Sequence, residues 1–258
     1  MELILLLPIF LSMISVIIFL PTWIKKMRII NFTDKDMNKL EKPRIVKSGG
    51  FIAIMGFLVG LFSYIALKTF YFNSQEGTIE VLVIITTTLT ISIVGLIDDL
   101  LAKKAGGGKG LTKRIRILFL IFAAIPLITI NAGQSTISVP FFGIINLGLI
   151  YPLFLIPLGI VGASATYNFL AGYNGLEAGQ GIIILSSFAL ITYLINKPML
   201  SIISLCMVAA LAGFYIFNKY PAKVFPGNSL TLVIGALIAG LSILGNFERI
   251  AVFIFIPY

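Results

Sequence analysis

The chain contains no histidine and a single cysteine. Without histidine there is no Ser-His-Asp or Cys-His nucleophile and no histidine-ligated metal. With one cysteine there is no intrachain disulfide and no cysteine-based zinc site; Cys206 lies in an apolar run and reads as a small core residue. Charge is scarce as well. Only 11% of the 258 residues are charged and 59% are hydrophobic, where soluble domains carry about 25% and about 45–50%. Mean hydropathy is +1.07, which excludes an ordinary soluble domain. The N-terminus has no basic leader segment: it opens with Glu2, and its apolar run continues to Ile24. That pattern predicts a first membrane helix and not a cleaved signal.

What the chain has is long apolar runs. Those near 3–24, 50–67, 79–97, 115–130, 149–170, 181–195, 200–217 and 230–244 approach the ~20 residues that cross a ~30 Å hydrocarbon core. A ninth, at 250–258, is cut by the end of the chain. The expected fold is an all-α, polytopic transmembrane helical bundle, one integral-membrane domain over residues 1–258. Lys/Arg bias sets its orientation. With the N-terminus outside, the loop at 25–49 presents Lys25, Lys26, Arg28, Lys35, Lys39, Lys42, Arg44 and Lys47 to the cytoplasm. Lys103, Lys104, Lys109, Lys113, Arg114, Arg116, Lys219 and Lys223 fall on the same side, leaving only Lys68, Lys197 and Arg249 outside. The net charge of +9 is therefore one basic face. It fits the positive-inside rule, anionic lipid or a cleft for an anionic substrate, and nucleic acid is a poor partner for loops this short.

Some polar residues need more than composition. Asp98 and Asp99 end the third run, at the unfavourable end of the helix dipole and beside one another. Acids at a membrane helix are costly and usually functional; the pair wants a cation, and hard oxygen ligands near phosphate favour Mg²⁺. Two solvated loop acids, or an ion relay in a transporter, stay open on the pair alone. The fifth run leads into a segment dense in Asn and Gly with one acid, from Asn168 through Gly172, Asn174 and Glu177 to Gly181. Glycines allow close backbone approach to a ligand, and Asn amides both donate and accept. An Asn-Gly turn would be the plainer explanation. Lys223-Val224-Phe225-Pro226-Gly227-Asn228-Ser229 precedes the eighth run; it suits a turn and helix cap, or an anion site at a helix N-terminus. The stretch from Ala105 to Thr112 is not a phosphate loop, because Gly110 follows Lys109 where Ser or Thr is needed; a flexible linker is expected. By the topology count these joints share the cytoplasmic face and converge on one cleft. No internal repeat pairs broken spans in the two halves, which counts against a transporter.

Together these residues resemble the polyprenyl-phosphate N-acetylhexosamine-1-phosphate transferase family, most closely its dolichyl-phosphate N-acetylglucosamine-phosphotransferase branch in eukaryotes and archaea. The run from Asn168 to Gln180 is similar to that branch's N-x-L-A-G-x-N-G-L-E-A-G-Q. Asp36-Met37-Asn38-Lys39, Lys42-Pro43, Gly49-Gly50, Gly95-Leu96-Ile97-Asp98-Asp99 and Phe225-Pro226-Gly227-Asn228 follow the family order over essentially the whole chain. The resemblance implies nine to ten spans and a reaction. UDP-N-acetylglucosamine and a polyprenyl (dolichyl) phosphate give polyprenyl-diphosphate-N-acetylglucosamine and UMP, the first step of lipid-linked glycan (N-glycan) assembly. It implies Mg²⁺, with Mn²⁺ as an alternative, held by Asn168 and Asn228. Asp98 and Asp99 would position the lipid phosphate and metal, with Arg116 against the pyrophosphate and Lys39 as a further cleft cation. Asn174 and the backbone around Gly172 would contact uracil, and Asn38 and Glu177 join them as substrate-binding candidates. A multi-pass cell-membrane protein with a cytoplasmic active face follows, and a homodimer is compatible. Three departures stand out: Asn228 where the family has Asp, Lys47 where the branch commonly has an acid, and an end at Tyr258 before the family's sugar-recognising loop and tenth helix. A shortened or inactive lipid-binding relative and a cation-coupled transporter are the competing expectations.

Overall fold

In a computed structural model of the chain, the structure describes residues 3–105, 110–131, 133–139 and 143–255. Helix α1 (Leu6–Ile29), entered through a 3-10 turn, is followed by an antiparallel hairpin of β1 (Thr33–Lys35) and β2 (Arg44–Val46). Next come α2 (Gly50–Ala66), extended by a π-helical turn at Leu67–Tyr71, and α3 (Thr78–Lys104). Helices α4 (Lys113–Ala123) and α5 (Ile125–Ile130) lead to a second hairpin, β3 (Thr136–Val139) with β4 (Gly143–Asn146). After a π-helical turn at Tyr151–Leu155 the chain continues as α6 (Ile156–Phe169), α7 (Leu176–Leu194), α8 (Pro198–Asn218), α9 (Asn228–Gly245) and α10 (Glu248–Phe255).

The fold is helical and polytopic. Among the described residues seven helical segments are long and apolar enough to cross a membrane: those built on α1, α2, α3, α6, α7, α8 and α9. Two of the expected runs differ. The fourth is broken at Ala124 into helices of 11 and 6 residues. Pro126, at the start of α5, has no N–H to give the Phe122 carbonyl, so the α4 ladder cannot continue through it. The ninth begins earlier, at Glu248, and forms the eight-residue α10; its expected positions 256–258 lie outside the described residues. The two hairpins also depart from a purely helical chain.

Helix α9 is the most enclosed of the seven. It packs against α3 and α6, with further contacts to α2, α7 and α10. Its first residue meets α3 at Gly95, where an added Cβ would overlap the Asn228 backbone. Small residues give membrane helices this close approach, which dispersion and hydrogen bonds then stabilise. One end of the bundle is tied by backbone pairing: Phe225 N–H donates to Val46 at 2.7 Å, and Gly49 and Gly50 donate to Phe225 and Pro226, each at 3.0 Å. This knits the first hairpin to the segment before α9. The opposite end is held by Lys197 donating to the Leu244 carbonyl at 3.1 Å and by Tyr151 donating to Glu248.

Gly95→Ala is expected to destabilise the chain by about 1–3 kcal/mol through overpacking of the α3–α9 contact. Gly159→Ala, whose methyl would meet nothing within 4 Å, serves as the control and causes no loss. Thermal unfolding in detergent reads both.

Candidate active site

Asp98 and Asp99 lie in the last turns of α3, both buried, at 1% and 0% exposure. Neighbouring helical positions are rotated by about 100°, so each carboxylate meets its own set of partners. Asp98 Oδ1 accepts from the Leu111 backbone N–H at 2.6 Å. Its Oδ2 accepts from Asn228 Nδ2 at 2.6 Å and pairs with the Arg116 guanidinium at 2.6 Å. Asp99 Oδ2 accepts from Ser48 Oγ at 2.5 Å and the Asn228 N–H at 3.0 Å. Its Oδ1 has no hydrogen-bond donor, and the nearest cation is Lys47 Nζ at 3.5 Å. A buried charge costs several kcal/mol unless paired and hydrogen-bonded; Asp98 has Arg116, and Asp99 has Lys47, which it shares with Asp34. The α9 N-terminus adds its positive dipole end. Gly227 makes that approach feasible: its φ is +70°, and a Cβ there would overlap Asp99 and Ser48.

Asn228 contacts both aspartates. A carboxylate at that position could not donate to Asp98 and would bring a third negative charge against the pair. The amide is therefore matched to its two neighbours.

A second cluster forms where the β1–β2 connection meets the α6–α7 loop. Asn38 Nδ2 donates to the Gly172 carbonyl, and the Gly172 N–H donates to Glu177 Oε1 at 3.0 Å. Asn174 Nδ2 donates to Asp36 Oδ2 at 3.3 Å, and Lys39 pairs with the same oxygen at 3.1 Å while lying 4.7 Å from the centre of the Tyr220 ring. Burial raises the Asp36 pKa, but donors from Lys39, Asn174 and the Asn38 N–H outweigh it and hold the carboxyl below its ordinary value. Glu177 is buried, with Oε2 lacking a hydrogen-bond partner.

Asn168, in the last turn of α6, stands at the start of the loop that carries the second group and contacts α9. Its Oδ1 accepts from Thr231 Oγ1 at 2.6 Å, and Thr231 stands one turn beyond Asn228 on α9. The structure thus brings Asp98, Asp99, Arg116 and Asn228 into one cluster and Lys39, Asn38, Gly172, Asn174 and Glu177 into another, with Asn168 tied to the first through α9. Ser48, Thr231, Asp36 and the contact from Lys47 were not singled out as site residues by the sequence. Asp36 stood in the segment Asp36-Met37-Asn38-Lys39 and Lys47 was noted as a departure from the branch; nothing pointed to Ser48 or Thr231. Of the expected linker, residues 106–109 lie outside the described residues; Leu111 beyond them is fixed to Asp98.

Residues 81–246 match the family model described as glycosyl transferase family 4. A Saccharolobus solfataricus protein, provisionally named as a UDP-N-acetylglucosamine–dolichyl-phosphate N-acetylglucosaminephosphotransferase, is 37% identical over 255 residues, 98% of this chain and 75% of that protein. A Sulfolobus acidocaldarius protein of the same provisional name is 34% identical, covering 88% of this chain and 67% of its own length. The phospho-N-acetylmuramoyl-pentapeptide-transferase of Halalkalibacterium halodurans is 32% identical, covering 98% and 79%.

The second cluster generates a pH prediction. Because the folded pKa of Asp36 lies below its unfolded value, its contribution is complete above about pH 4 and is lost as pH falls through the lowered folded value. Thermal unfolding as a function of pH should show Asp36→Asn less stable at neutral pH and with a smaller further loss on acidification. Parallel curves for the two proteins would refute the assignment.

Proposed function

This chain belongs to glycosyl transferase family 4, and on that premise we propose that it transfers N-acetylglucosamine-1-phosphate from UDP-N-acetylglucosamine to a polyprenyl (dolichyl) phosphate. The products are polyprenyl-diphosphate-N-acetylglucosamine and UMP, the opening of lipid-linked glycan assembly. The observation that carries the reading is the meeting of the buried Asp98/Asp99 pair with the end of the Asn/Gly segment on the first turns of α9, through Asn228 and Thr231. Two carboxylates already paired with fixed cations make a poor ion relay, which disfavours transport.

In the proposed reaction an oxygen of the acceptor phosphate attacks the phosphorus that bears the sugar. The bond from that phosphorus to the bridging oxygen breaks, and the electron pair departs with UMP. A phosphate monoester has its second pKa near 6, so the nucleophile is largely ionised at neutral pH and needs no strong base. The residues then have mainly to position charge and neutralise it. Arg116, paired with Asp98, sits where it can also face the diphosphate. Lys39 is the cation of the second cluster. The Asn174 amide oxygen and the remaining lone pair of the Gly172 carbonyl would serve the uracil edge, with Asn38 and Glu177 fixing the loop around them.

The donor set fits a divalent ion. Asp99 Oδ1 is a buried acceptor without a hydrogen bond, and Asn168 Oδ1 accepts one hydrogen bond with a lone pair remaining. Among the described residues no three acidic or thiol side chains gather at one point; the residues that would hold the ion are Asn168 and Asn228, with Asp98 and Asp99 helping to position it. Mg²⁺ suits such hard oxygens, and Mn²⁺ would substitute. When bound, it would neutralise charge on the transferring phosphoryl group. The basic loops at this end support, by the positive-inside rule, a cytoplasmic active face.

The test uses membranes expressing the chain, sugar-labelled UDP-N-acetylglucosamine and a polyprenyl phosphate. Label should enter the lipid with UMP release, cease with chelator, return with Mg²⁺ and fall at least about 100-fold in Asp98→Asn, a loss typical of removing a charge-stabilising group. Absence of transfer by the parent chain under these conditions would overturn the reading.

A further inference from the structure

Beside Asp99, on the hairpin side, lies a polar cavity of about 390 Å³. Its charged lining consists of Asp34, Lys35, Arg44, Lys47, Asp99 and Lys103; none of Arg116, Asn168, Gly172, Asn174 or Asn228 borders it. Four cations face two carboxylates, and two of the cations stand out. Lys35 and Arg44 are directly opposed partners in the β1–β2 ladder, where like charges destabilise the pair. Neither forms an ion pair among the described residues. Lys103 is otherwise engaged, donating to the Ile30 carbonyl at 2.7 Å with its ammonium 5.1 Å from the centre of the Phe32 ring. Lys47 stands between two acids without closing on either, 3.6 Å from Asp34 and 3.5 Å from Asp99.

We propose that this cavity is an anion site that takes a phosphate monoester, clamped by Lys35 and Arg44 and linked to Asp99 through Lys47. A dianion balances the two-charge excess of the lining. It also turns the opposed Lys35–Arg44 pair from a repulsion into a bridged contact. The Lys47 ammonium has three N–H donors, so it can serve Asp34, Asp99 and a phosphate oxygen together. The guanidinium of Arg44 offers the planar fork that matches phosphate geometry. Ile29 and Ile30, exposed at the end of α1, directly precede Asn31 and Phe32 of the lining, so the phosphate can be carried on a lipid or arrive free. The site does not depend on the transferase reading: binding here requires neither nucleotide nor turnover.

The experiment uses the full chain purified in neutral detergent and no nucleotide. In one arm inorganic phosphate is titrated at constant ionic strength against chloride, followed by the thermal midpoint. In the other, native mass spectrometry compares retained phosphatidic acid, a monoester, with phosphatidylglycerol, a diester. Binding of phosphate identifies a free anion as ligand, and selective retention of phosphatidic acid alone identifies a lipid-borne one. In either case Lys35→Gln/Arg44→Gln should weaken binding at least tenfold, Lys35→Arg/Arg44→Lys should retain it, and Lys68→Gln at the opposite end should leave it unchanged. The Gln double variant should also unfold no earlier than the parent in phosphate-free buffer, since it removes a like-charge pair. Binding unchanged in the Gln double variant, no preference for monoester over diester together with no phosphate effect, or no binding in either arm would each overturn the proposal.

Discussion

Two adjacent carboxylates, buried at the end of a membrane-length helix, are the constraint around which this end of the protein is arranged. Buried carboxylates need partners, and the segments that answer Asp98 and Asp99 come from across the chain. Lys47 and Ser48 arrive from the end of the first hairpin, Leu111 and Arg116 from the start of α4, and Asn228 from the head of α9. Each partner is a donor or a cation. Asn228 is the junction, because its main-chain N–H reaches one aspartate and its side chain the other. Gly95 and Gly227 matter for the same reason: a side chain at either would push α9 away from the pair.

The hairpin of β1 and β2 gives this arrangement a second function. Its connection, through Asp36, Asn38 and Lys39, reaches the Gly172–Asn174 loop, while its end carries Lys47 to Asp99. One short, charged ribbon thus spans both clusters, and its pairing with the segment before α9 fixes it to the bundle.

Most of the bundle was legible in the sequence because length and hydropathy of a run are local properties, and seven of the nine apolar runs correspond to membrane-length helices. The fourth run failed at Pro126, a local feature whose weight was outvoted by the apolar residues around it. The hairpins were not legible: β1 and β2 have three residues each, together three charged and two apolar side chains, too short for an alternating pattern to register. The candidate site divides in the same way. Asp98, Asp99, Asn168 and Asn228 were visible because polar residues at the ends of apolar runs need a reason. Ser48 and Thr231 were not, since their partners Asp99 and Asn168 lie 51 and 63 positions away and nothing local marks them.

The central claim is that the Asp98–Asn228 contact couples α3 to α9, and a double-mutant cycle measures it directly. Stability of the parent, Asp98→Ala, Asn228→Ala and the double variant would be compared by reversible unfolding in mixed detergent. Residues in one hydrogen-bond network couple by about 0.5–3 kcal/mol, and a stabilising coupling in that range is the predicted result. Strictly additive losses would contradict the account, because the two helices would then be held together by packing that ignores the aspartate pair.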